Sequence, residues 1–220
     1  KDYRLLAEDR KYYQNLTEKY PAESVAWYLL GYANLETQKN LLPVVFGGAI
    51  HWDDYINPAI DGFTKAISLS PESLDAYHGM VDLYEYVLFY KDAYRYQKMI
   101  LEKVPNDLEA NLRMLDICKH LLLIGHANYN DPTYYNPIFV RETYNYATKV
   151  LDLDPNNVGG LMALMTAYGG AGDYIKAISV GKKILKVRPE LQRIEREINS
   201  YYFKLKIPDR RYIPADIKLE

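Results

Sequence analysis

The stretch Val158–Leu191, VGGLMALMTAYGGAGDYIKAISVGKKILKVRPEL, decides the fold. Leu161, Leu164, Met165 and Tyr168 recur at helical spacing and line one face of a first helix. Gly169, Gly170 and Gly172 interrupt it. Tyr174, Ala177, Ile178, Ile184 and Leu185 give a second helix its own apolar stripe. Pro189 stops that helix, because proline lacks an N–H and crowds the preceding turn. Neither helix can bury its stripe alone, so the unit needs copies of itself on either side.

The copies appear when prolines are counted backwards. Pro21, Pro71, Pro105, Pro155 and Pro189 stand in the same context, with gaps of 50, 34, 50 and 34 residues. A fixed period in this range marks a solenoid. The first copy carries Trp27, Leu30 and Gly31, then Ala59, Phe63, Ala66 and Pro71. The second carries Tyr77, Met80 and Tyr84, then Ala93, Ile100 and Pro105; the third, Met114, Cys118, Val150 and Pro155. The fourth has Leu161, Leu164, Tyr168, Ala177, Ile184 and Pro189. This pattern resembles the tetratricopeptide repeat (TPR), Trp-x2-Leu-Gly-x2-Tyr followed by Ala-x3-Phe-x2-Ala-x4-Pro. Departures are Asn34 in place of the tyrosine, Val81 in place of Gly31, and Thr143 in place of the alanines.

The resemblance implies an all-α chain, a right-handed α-α superhelix of about four helix pairs with capping helices at both ends. The expected order within a single solenoid, 1–205, is a capping helix at 1–23, repeats at 24–73, 74–107, 108–157 and 158–191, and a second cap at 192–205. Ser24 is a candidate N-cap of the first repeat, and Gly31 is expected to let the partner helix approach near Ala59. The final helix is expected to be polar on its outer side, with Arg193, Glu195, Arg196 and Glu197, as a terminal repeat requires. Pro208 and Pro214 predict an extended tail over 206–220.

The two 50-residue gaps are 34-residue repeats with about 16 extra residues between their helices. The first insert, 37–55, reads as an apolar loop containing Leu41, Leu42, Val44, Val45, Phe46, Ile50 and Trp52. The second, 120–137, contains Tyr134 and Tyr135. The chain is therefore an 84-residue double repeat, insert-bearing then plain, present twice. Apolar inserts are expected to pack on the solenoid, on each other or on a neighbouring chain, since exposed apolar patches mark contacts. Val44, Val45, Phe46, Trp52, Tyr134 and Tyr135 form the candidate insert contact surface.

Composition bounds the function. The chain is 49% hydrophobic and 25% charged with a formal net charge of −2, which is globular and carries no electrostatic footprint for nucleic acid. Tyrosine is abundant, 23 residues against 5 Phe. The plain reading is tyrosine at half-buried positions with its hydroxyl in water; the sharper one is an aromatic binding surface. The single cysteine, Cys118, excludes an internal disulfide and reads as a small buried thiol. No run of 18 apolar residues is present. The compartment stays open between cytoplasm and a bacterial periplasm or envelope.

No GxSxG, P-loop, HExxH or Cys/His ligand spacing occurs, so an enzyme is not expected, nor a cofactor. His51 with Asp53 and Asp54, and His126 with Asn128, Asn130 and Asp131, are two polar clusters; the second lacks the glycine and terminal glutamate of a calcium loop, and no metal is expected. The resemblance instead implies a concave groove lined by the first helix of each pair. Its positions fall on Tyr28, Leu29 and Tyr32; on Asp75, His78, Asp82, Glu85 and Tyr86; on Leu112, Arg113, Asp116, Lys119 and His120; on Met162, Ala163 and Thr166; and on Arg193, Arg196 and Ser200. The groove would be aromatic, then acidic, then basic. The Lys/Asn clamp by which one TPR subclass grips a C-terminal carboxylate is replaced by Tyr28, Tyr32 and Gly79. The expected function is a protein-interaction scaffold holding a partner segment in the groove or through the inserts, with self-association as one outcome. The alternative is a ligand-binding accessory component of an envelope or transport system, with a small molecule under the inserts.

Overall fold

The computed structural model describes residues 3–41, 49–123 and 136–206. Val44, Val45, Phe46, Tyr134, Tyr135, the His126 cluster and the tail at 207–220 lie outside them. The chain forms two compact units, Lys1–Pro105 and Asn106–Glu220. The first holds α1 (Tyr3–Lys19), α2 (Ser24–Asn40), a π-helical turn (Trp52–Ile56), α3 (Asn57–Leu69), α4 (Asp75–Tyr86) and α5 (Tyr90–Lys103). The second holds α6 (Leu108–Leu123), α7 (Pro137–Leu153), α8 (Val158–Gly170), α9 (Tyr174–Val187) and α10 (Gln192–Lys206). Among the described residues there is no strand. Within each unit every helix packs on the next, and the first helices of successive pairs also touch, α2 with α4 and α6 with α8.

The proline spacing is reproduced in backbone geometry. Helices α1, α3, α5, α7 and α9 each end two residues before their proline. Each ends on the same bond, from the N–H after the helix to a carbonyl four residues back: Tyr20 to Leu16, Ser70 to Ala66, Val104 to Ile100, Asp154 to Val150 and Arg188 to Ile184. Two of the aromatic residues that open a repeat are tied to the preceding proline. Trp27 Nε1 donates to Pro21 O at 2.9 Å and Tyr77 OH to Pro71 O at 3.1 Å.

The first unit's core is Leu35, Ile56, Ala59, Phe63, Ala66, Ala76, Met80, Leu83 and Val87. Phe63 is its centre. A Cβ on Gly31 of α2 would come within 2.8 Å of the Phe63 ring, and one on Gly79 of α4 within 2.5 Å. The close approach expected at Gly31 is therefore made chiefly by Phe63, with the Ala59 carbonyl beside it. A Cβ on Gly62 would lie 2.8 Å from Gly31 N, so α3 rests on the α2 backbone itself. In the second unit, Leu161, Met165, Ala177, Ile178, Ile184, Ile194, Ile198 and Tyr201 form the core between α8, α9 and α10.

Three expectations are corrected. Ser24 is not the N-cap; Glu23 holds that position without a side-chain bond, and Ser24 Oγ donates to Ala66 O at 3.1 Å, tying the start of α2 to the end of α3. Helix α2 continues through Thr37 to Asn40, and the insert's far end is a π-helical turn, so the irregular part of 37–55 is shorter than the apolar pattern implies. The outer side of α10 is polar only at first: Arg193, Glu195 and Arg196 are exposed, but so are Tyr202, Phe203 and Leu205.

Candidate partner-binding face

Tyr28 and Tyr32 stand one turn apart on α2, their ring centroids 6.2 Å from each other. Tyr28 is half-buried and leans on Phe63, with centroids 6.1 Å apart, so the core ring fixes its position. Tyr32 is 41% exposed. Helix α4 brings up Asp75, His78, Asp82 and Glu85, spaced three, four and three residues apart and hence on one stripe. Burial raises the Tyr28 pKa, reinforced by Asp75, Tyr32 and Asp82; burial also raises that of Tyr32, reinforced by Glu36 and Asp82. Asp82 thus acts on both rings. Helices α2 and α4 pack against each other, so the aromatic and the acidic positions of the groove pattern lie on neighbouring helices.

Glu36 was not among the groove positions, although Tyr28, Tyr32 and Glu36 follow a four-residue spacing that puts them on one helix face. It also pairs with Lys39 at 3.3 Å. Tyr86 is placed differently. Its hydroxyl donates to Gln38 O at 3.3 Å and accepts from Gln38 Nε2 at 3.4 Å.

Gln38 is fully buried and holds the end of the first insert. Its Nε2 donates to Ala49 O at 3.0 Å and its Oε1 accepts from His51 N at 2.8 Å. One amide therefore satisfies a carbonyl and an N–H of the returning chain. Arg10 of α1 adds a donor to Asp54 O and lies 4.6 Å from the Tyr55 ring. Ile50 and Trp52 pack on the unit's core, and Trp52 meets Phe89 with centroids 5.5 Å apart. Trp52, expected on the insert contact surface, is half-buried against its own solenoid. No pattern in the sequence marked Gln38, because it stood where the loop was expected to begin.

In the second unit the groove positions divide. Leu112 packs beside Leu115, Ala147 and Val150, and Met162 beside Leu161 and Met165, so both are structural. Asp116 is bridged by Lys119 at 3.1 Å and His120 at 3.8 Å on its own helix. Arg113 is half-buried, whereas Arg193 and Arg196 are exposed on α10. Cys118 is buried, and that burial, with Glu142 beside it, pushes the thiol far above its ordinary range, so it is not a nucleophile at neutral pH. Among the described residues no group of three His, Cys, Asp or Glu could hold a metal, and no helix is long and apolar enough to cross a membrane.

No family model and no curated protein matches the chain. Solved structures do. A crystal structure of MamA protein aligns with TM-score 0.57 at 14% identity, covering 84% of this chain and 83% of that one. A structure described as a MamA RS-1 ArsTM double mutant aligns with TM-score 0.57 at 15% identity, covering 84% and 85%. A thermophilic TPR protein from Thermus thermophilus aligns with TM-score 0.46 at 12% identity, covering 80% and 82%. The fold is a TPR-like helical-repeat solenoid of the all-α class.

Proposed function

We propose that this chain is a non-catalytic interaction scaffold that holds a segment of a partner protein against the exposed faces of its first helices. The α2/α4 surface is the main contact. The observation that carries the reading is the tyrosine pair on α2, Tyr28 seated on the core ring and Tyr32 exposed beside it. Tyrosine offers rigid contact area and a hydroxyl at low entropic cost, which suits a surface that must bind without being buried beforehand. The core residue Phe63 orients Tyr28, so the surface is organised before a partner arrives.

A pull-down from native lysate tests this, comparing wild type with the paired variant Tyr32→Ala and Arg113→Ala. Loss of specific partners from the variant, with helical content unchanged, is the expected result. Identical partner lists would move the contact off the first helices and onto the inserts.

A further inference from the structure

We infer that the outer face of α9, together with the last turn of α10, docks on an anionic lipid surface. The inference concerns the second unit and stands apart from the α2/α4 reading. Helix α9, YIKAISVGKKILKV, carries four lysines and no Asp or Glu. Ile175, Ser179, Lys182, Lys183 and Lys186 recur at helical spacing on one side of it, and all five are exposed, Ile175 at 69%. Lys182 Nζ lies 5.7 Å from the Tyr202 ring, so this row runs up against the last turn of α10. There Tyr202, Phe203 and Leu205 are exposed, Phe203 at 63%. Lys204 of the same turn lies 5.5 Å from the Tyr174 ring and 5.7 Å from the Tyr201 ring. No Asp or Glu occurs in α10 beyond Glu197. Lys183 Nζ donates to Pro155 O at 2.9 Å, a neutral acceptor. Among the described residues none of Lys182, Lys183, Lys186 and Lys204 pairs with a carboxylate.

Helix α5, in the same register earlier in the chain, carries a mixed outer face. Lys91 stands for Ile175, Arg95 for Ser179 and Glu102 for Lys186. Asp92 answers Arg95 at 3.5 Å, and Glu72 answers Lys103 at 3.1 Å. Helix α9 keeps lysines, drops the carboxylates and adds a projecting isoleucine. Unanswered lysines call for an anion. An acidic peptide would supply one, but side chains as exposed as Ile175 and Phe203 stand out from the surface instead of lining a groove, and they need a deformable apolar phase. A bilayer interface with acidic headgroups answers both. The lysine heads reach the phosphates while Ile175 and Phe203 enter the acyl boundary. The charge of the two units agrees with this choice. Residues 106–220 contain 16 Lys and Arg against 14 Asp and Glu, whereas residues 1–105 contain 11 against 15. The second unit is therefore the one that an anionic surface attracts.

Co-sedimentation of the full chain with vesicles tests this, comparing phosphatidylcholine alone with phosphatidylcholine in which about a third of the lipid is phosphatidylglycerol. The anionic vesicles are expected to bind the chain on the order of tenfold more tightly than the neutral ones, and more weakly as salt rises. The paired variant Lys182→Gln and Lys186→Gln, and separately Phe203→Ser, should each lose about tenfold on anionic vesicles while keeping wild-type circular dichroism. Lys98→Gln, at the α5 position that matches Lys182, should bind as wild type does. Equal binding to both vesicles, no binding to either, or undiminished binding by the lysine pair or by Phe203→Ser would overturn the inference. So would an equal loss in Lys98→Gln. A labelled peptide of alternating Glu and Tyr that binds wild type more tightly than the vesicles do, and fails to bind the lysine pair, would make the occupant an acidic polypeptide and overturn the lipid surface.

Discussion

A Cβ on Gly79 would lie 2.5 Å from Phe63 Cε1, against a ring that has no exposed surface. Gly79→Ala must push that ring off its seat between α2 and α4, and is expected to cost about 1–3 kcal/mol. Ala59→Leu, inside the same core, is expected to cost a similar amount. Thermal melts check both, and an unchanged midpoint for Gly79→Ala would mean the ring is free to move. Tyr28, against Phe63, and its neighbour Tyr32 give a pH signature. Burial raises both pKa values above 10.0, so the folded state favours the protonated phenol. The stability this adds is complete below the unfolded value and is lost as pH rises through the folded one. The phenolate absorbance of wild type minus Tyr32→Phe should therefore rise above pH 10.0. A midpoint at or below that value would show Tyr32 fully solvated.

The turn between α4 and α5 can be laid over the turn between α8 and α9, 84 residues later. Leu88 takes φ 64° where Gly172 takes φ 80°. The bonds match: Leu88 N to Glu85 O and Phe89 N to Tyr84 O in one, Gly172 N to Gly169 O and Asp173 N to Tyr168 O in the other. Asp173 caps α9 by accepting from Lys176 N, whereas Phe89 gives α5 no side-chain cap. Left-handed backbone is costly for leucine and ordinary for glycine, so Leu88→Gly is expected to stabilise the chain by about 0.5–1 kcal/mol. Chemical denaturation checks it, and a loss of stability would show that the Leu88 side chain makes contacts worth more than the strain. Phe89→Asp gains a cap but loses the Trp52 ring, and should come out near neutral. The 84-residue register was legible because prolines and glycines constrain backbone, and backbone repeats. The exchange of Gly-Asp for Leu-Phe was not read from the pattern, because an apolar pair at a turn resembles the end of a helix. Gln38 escaped for a related reason: a polar residue among loop residues gives no sign that it will be buried. The tyrosines and carboxylates of α2 and α4 were legible as positions, but that they lie on neighbouring helices depends on the packing of two helices from different repeats.

At the scale of the molecule, the two units each own a core, and they carry unequal reporters. Both tryptophans, Trp27 and Trp52, lie in the first unit, and Trp52 packs directly on its core. Tryptophan emission therefore follows the unfolding of residues 1–105, while far-ultraviolet circular dichroism follows helices in both units. Repeat arrays add their stability from repeats and the interfaces between neighbours, so damage in one repeat spreads only as far as those interfaces carry it. Ile184 is fully buried between α9 and the helices around it in the second unit. Ile184→Ala is expected to cost that unit about 2–5 kcal/mol through the cavity it leaves. The expected result is a dichroism transition that shifts early or splits, while the tryptophan transition stays near its wild-type midpoint. A common shift of both signals would mean that the array unfolds as one cooperative block. In that case the α2/α4 face would draw its rigidity from helices far beyond its own unit, and partner binding in the first unit would protect α9 from hydrogen exchange as strongly as it protects α3.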